Sequence, residues 1–106
     1  MLRSLYAALL ALFLSFNSFG QSFNSRWNTA ELGTSNDDQI TIPTNPGFTY
    51  DYTVNWGDGT TDNNVTGDIT HTYAAEGLYT ISISGVFPSI YFNDGGDRRK
   101  IIEILS

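Results

Sequence analysis

Apolar and polar residues alternate along much of the chain. Over residues 49–56, Tyr50, Tyr52, Val54 and Trp56 share one parity and Thr49, Asp51, Thr53 and Asn55 the other, the period-two pattern of a strand with one buried face. Residues 78–85 repeat it, with Tyr79, Ile81 and Ile83 set against Thr80, Ser82 and Ser84. Shorter segments of strand character occupy residues 23–27, 39–42, 62–65, 69–73, 89–92 and 100–105. Turn formers separate them at residues 43–47, at Asp58-Gly59, at residues 75–77 and at residues 93–97. There is no convincing helical period and no repeat at fixed spacing. About seven short strands rich in Thr, Tyr and Ile predict an all-β fold, an antiparallel β-sandwich.

The first twenty residues follow different rules. Arg3, an apolar run over residues 5–16 and the small residues Ser18 and Gly20 have the outline of a secretory signal peptide. The run is shorter than the roughly 20 residues that a membrane span needs. We expect residues 1–20 to be removed on export, leaving residues 21–106 as one small domain, with no membrane segment after cleavage. Loss of Arg3 leaves four basic and eleven acidic residues and moves the net charge from −6 to −7. Such a chain repels phosphate backbones, which argues against nucleic acid as a partner. Cysteine is absent, which excludes disulfides, thiol catalysis, zinc–thiolate sites and iron–sulfur clusters.

The stretch VNWGDGTTD, residues 54–62, places a tryptophan, two glycines and two carboxylates within nine residues. One reading is chemical, since Asp58 and Asp62 form a carboxylate pair of the kind glycoside hydrolysis employs. The other is architectural. Trp56 closes a strand on the inward face, Gly57 lets the chain bend, and Asp58-Gly59 supplies a two-residue type I′ turn, with the Asp58 carboxylate accepting nearby backbone N–H groups.

WGDG at residues 56–59 and HTYAAEGLYTISI at residues 71–83 together resemble the signature of PKD-type domains. QITIPTNP, the run from YDYTVNWGDG to SISG, and FPSIYFNDGGDRRKI are further similar to the PKD-like N-terminal module of BspA-type bacterial surface proteins. The likeness spans roughly residues 23–105. It implies an Ig-like sandwich in which Trp56 is core, Gly57, Asp58 and Gly59 form the turn, and His71, Tyr73, Gly77 and Tyr79 lead into the partner strand, Tyr73 or Tyr79 bonding back to the preceding loop. It also implies a secreted or cell-surface protein acting as a non-catalytic adhesion, interaction or spacer module. Its partners would be an extracellular protein or polysaccharide, and a following repeat domain if this is the head of a longer chain.

Other residues carry competing readings. His71 is the sole histidine, and no triad order or metal spacing accompanies it. Calcium is the better-motivated ligand. Asn36, Asp37 and Asp38 precede one strand, and Asp58 and Asp62 flank the turn, although they lack the spacing of a twelve-residue calcium loop. The resemblance adds that some PKD domains hold calcium through an N-terminal segment and the GDG aspartate. Phe87, Tyr91 and Phe92 suggest a carbohydrate-binding module as the alternative function. Arg98, Arg99 and Lys100 read as solvated cations guarding an Ile-rich strand, with contact to an acidic partner or sugar acid as the alternative. In that strand Ile102 and Ile104 are expected to face the core and Ile101, Glu103 and Leu105 the other side, a docking surface for a following domain. Asn64-Val65-Thr66 matches an N-glycosylation acceptor. The expected enzyme activity is none, and no cofactor other than calcium is implied.

Overall fold

The structure is a computed structural model, and it describes residues 22–106. The expected leader lies outside the described residues. Seven strands and no helix are present among them: β1 (Ser22–Asn28), β2 (Gln39–Ile42), β3 (Asp51–Asn55), β4 (Thr61–Val65), β5 (Ile69–Thr72), β6 (Leu78–Val86) and β7 (Ile101–Ile104). They form two antiparallel sheets, one of five strands in the order β4-β3-β6-β1-β7 and one of two strands, β2-β5. The fold is the all-β sandwich that the alternation predicts.

Burial follows the alternation. On β3 Tyr52 and Val54 are buried, on β6 Ile81 and Ile83, on β1 Ser25 and Trp27, and on β2 Ile40 and Ile42. With Tyr50, Trp56 and Tyr73 the apolar members make one core between the sheets. Val54 opposes Ile83 across β3 and β6, and Trp27 opposes Tyr79 across β1 and β6, so neighbouring strands contribute to the same layer. The buried rings keep their polar atoms bonded, as burial in a dry core demands. Trp27 Nε1 donates to Ser25 Oγ at 2.7 Å, Tyr52 Oη to Gly67 O at 2.6 Å and Tyr50 Oη to Ser89 O at 2.7 Å.

Four local expectations need correction. Residues 89–92 are not a strand. Tyr91 N donates to Pro43 O, and Phe92 turns in against Trp27, with ring centroids 6.0 Å apart. The Asp58-Gly59 turn is not type I′, because Gly57 and Gly59 take positive φ (84° and 93°) and Asp58 does not. The facing of the last strand is reversed at its start. Ile101 opposes Trp27 and packs on the core because a bulge shifts the β1–β7 register between Arg26 and Trp27, and Ile102 and Ile104 are exposed. Finally, Lys100 is fully buried rather than solvated.

Candidate functional site

The residues singled out around WGDG do come together, at the end of β3 where the large sheet meets the small one. Trp56 leaves β3 on the buried face, and its ring stacks on His71 of β5, centroids 4.6 Å apart and 11° from parallel. Tyr73 meets His71 edge-on at 4.6 Å and donates its Oη to Trp56 O at 2.8 Å. Tyr79 stacks on Tyr73 at 3.8 Å and donates back to Ala75 O at 2.8 Å. Burial, with the nearby charge of Asp58, pushes the Tyr73 phenol far up, so it stays a neutral donor. Gly77 pins the turn before β6 to the end of β1: its O accepts from Thr29 N at 3.0 Å and its N donates to Thr29 Oγ1 at 2.9 Å.

The turn itself is built around one carboxylate. Asp58 Oδ1 accepts from Thr60 N at 3.0 Å and from Thr60 Oγ1 at 2.5 Å, while Oδ2 accepts from His71 Nε2 at 2.8 Å. Burial pushes this carboxyl up, but the Thr60 and His71 hydrogen bonds and the field of the imidazole outweigh it and hold it below the usual carboxylate range. Gly57 has no room for a side chain: at φ 84° an added Cβ would sit 2.3 Å from Thr80 O on β6. The turn therefore lies directly on the backbone of the neighbouring strand.

Thr60, His71 and Asp58 include the side-chain types of an acid–base relay, yet their arrangement is different. A relay needs the nucleophile and the orienting carboxylate on opposite ring nitrogens. Here the same atom, His71 Nε2, lies 2.8 Å from Asp58 and 3.3 Å from Thr60 Oγ1, and the Thr60 hydroxyl donates to Asp58. His71 cannot accept the Thr60 proton on the nitrogen that is donating to Asp58. Asp62, the other half of the supposed carboxylate pair, takes a separate partner: its Oδ2 accepts from Trp56 Nε1 at 2.8 Å.

Asp37 and Asp38 sit in the loop before β2, where Asp38 O accepts from Tyr73 N at 2.8 Å. Among the described residues no three His, Asp or Glu side chains gather into a group able to hold a metal ion. Of the rings considered for carbohydrate, Phe23, Tyr50 and Tyr52 surround Phe87, Phe92 lies on Trp27, and Tyr91 is exposed.

A second polar cluster was not legible in the sequence. Asp97 and Lys100, both buried, close the outer edge of β2. Lys100 Nζ donates to Asn36 O at 2.6 Å, Gln39 O at 3.0 Å and Ser35 O at 3.3 Å. Asp97 accepts from Thr41 N at 2.8 Å, Ser35 N at 3.0 Å, Thr34 Oγ1 at 3.3 Å and the Ser35 hydroxyl. Burial pushes the Asp97 carboxyl up, and the Ser35 and Thr41 donors with the Lys100 charge more than reverse it, so its pKa falls below the ordinary value. These two side chains satisfy backbone groups of β2 that a third strand would otherwise take, and they fasten the 33–38 loop to the residues entering β7. Their only sequence signal is a spacing of three residues ahead of an Ile-rich strand, which is easily read as surface charge. No family model, curated protein or solved structure matches the chain.

Proposed function

We propose that this chain is an exported, non-catalytic interaction or spacer module of PKD type, serving at a bacterial cell surface. The observation that carries this reading is the Asp58–His71 bond beneath the Trp56–His71 stack, which engages the reactive groups of the site in joining the two sheets. A histidine stacked on a core tryptophan and bonded to a turn carboxylate acts as a strut, and the nearby Thr60 hydroxyl donates to Asp58 rather than to the ring. The burial of Trp56 and Tyr73 and the turn at Gly57–Gly59 are compatible with the PKD resemblance, and the signal-like leader supports export. The carbohydrate-binding alternative is weaker, since Phe87 and Phe92 are spent on packing.

Two measurements on the full chain test the reading. Intact mass of the protein recovered from an expressing bacterium should show loss of the leader near residue 20. A full-length cytosolic product would contradict export. Ester and glycoside turnover should stay at background, and turnover abolished by His71→Gln without loss of folding would overturn the non-catalytic part.

A further inference from the structure

The two outer strands of the large sheet differ in kind. β4 is polar from Thr61 to Asn64 and is broken by a bulge, with Asn64 at φ 55°, features that discourage the addition of another strand. β7 ends the sheet on the other side, and it exposes Ile102, Ile104 and the adjoining Leu105 by 49, 58 and 42%. Its one charge, Glu103, is turned to Arg26 of β1 at 2.9 Å. Leu105 N donates to Asn24 O, and Glu103 lies opposite Arg26. Alternation along an antiparallel strand then turns the N–H and C=O of Ile104 away from β1, towards open edge.

Charge is distributed just as unevenly. Among the described residues the four cations all lie beside this strand: Arg26 across from Glu103, and Arg98, Arg99 and Lys100 leading into Ile101. Lys100 is buried, Arg26 is paired with Glu103, and Arg98 lies 3.7 Å from Asp94. Arg99 is exposed and takes part in none of the ion pairs of the described residues. An apolar strand edge is thus flanked by Arg26, Arg98 and Arg99, the exposed Lys and Arg side chains of the described residues. A second copy, itself strongly acidic, pays a long-range repulsion on approach, whereas an extended segment mixing apolar and acidic residues matches both features.

We propose that β7 is a docking strand for an extended, acidic segment of a partner protein, which adds to the sheet alongside Ile102–Ile104. Backbone hydrogen bonds to Ile104 supply the pairing, apolar side chains of the segment cover Ile104, and its carboxylates reach Arg99 and Arg26. The proposal rests on the interaction-module reading and names the chemistry of its partner.

The test uses the full chain and a capped peptide of about ten residues alternating valine with glutamate, long enough to run past the strand, with a valine–lysine peptide as control. The glutamate peptide should bind, more weakly as salt rises, and slow hydrogen exchange at the Ile104 amide. The lysine peptide should bind at least about tenfold more weakly. Ile104→Lys and Arg99→Glu should each weaken the glutamate peptide about tenfold or more while leaving the urea midpoint unchanged. Equal affinity for both peptides, binding that both variants leave intact, or no binding at all would overturn the proposal. Export and turnover decide the interaction-module reading separately. A concentration-dependent dimer in sedimentation equilibrium, abolished by Ile104→Lys, would make the occupant a second copy and would likewise overturn it.

Discussion

Lys100→Met isolates the largest unexpected feature of the interior. Methionine nearly conserves the volume, so packing changes little, but the substitution removes one buried charge and the donors to three carbonyl oxygens, at 2.6, 3.0 and 3.3 Å. Asp97 is then left as a buried carboxylate without its neighbouring cation. Breaking a buried charge arrangement by removing one member costs about 3–5 kcal/mol, against a total stability of roughly 4–13 kcal/mol for a domain of this size. The expected drop in melting temperature is about 12 °C or more, at about 4–8 °C per kcal/mol. Urea and thermal unfolding can be followed by the fluorescence of Trp27 and Trp56, both fully buried. Pairing with Asp97→Asn should give a double variant less damaged than the sum of the singles, because the two groups share one network. A Lys100→Met protein within about 0.5 kcal/mol of wild type, the range of ordinary surface substitutions, would refute the reasoning and return Lys100 to the surface.

Three further outcomes follow from the turn and the clamp. Gly57→Ala meets both positive φ and the Thr80 carbonyl and should cost about 2 kcal/mol or more by urea unfolding, strain at such positions being on the order of 1–3 kcal/mol. The Asp58 and Asp97 carboxyls both titrate below their unfolded values, so the stability they contribute is present above the unfolded carboxylate pKa of about 4 and is lost as pH falls through the folded values. A Tm series from pH 7 to pH 2 should fall below about pH 4, and less steeply in an Asp58→Asn/Asp97→Asn variant. With Asp58 engaged by His71 and Thr60, and Asp62 by Trp56, excess calcium should leave the Tm where a chelator leaves it. A calcium-dependent rise abolished by Asp58→Asn would show that the turn gives up those bonds for a metal.

The strands that pack on one face were legible because burial imposes period two on them. β3 and β6 carry Tyr52, Val54, Ile81 and Ile83 inward as their alternation requires. Where the period is interrupted the reading failed. The β1–β7 bulge moves Ile101 onto the core side, so the parity at the start of β7 is opposite to the one plain alternation gives. Asp58-Gly59 looked like a type I′ turn because the sequence shows the dipeptide but not His71, which lies thirteen residues on and competes for the Asp58 carboxylate. Lys100 looked solvated because the carbonyls it binds come from residues more than sixty positions away. Of the candidate site, the resemblance implied separate roles for Trp56, Asp58, His71 and Tyr73 but not that their side chains meet, and the parts taken by Thr60 and Asp62 likewise depend on turn geometry that one-dimensional pattern does not encode.

The central claim is that the Asp58–His71 pair is a strut joining two sheets, and a double-mutant cycle of unfolding free energy on Asp58→Asn and His71→Gln tests it most directly. The account predicts that each single variant lowers stability and that the pair couples by about 0.5–3 kcal/mol, with no activity to lose. Additive effects within about 0.3 kcal/mol, with folding intact and a binding or catalytic activity abolished, would contradict it and make these residues a working site.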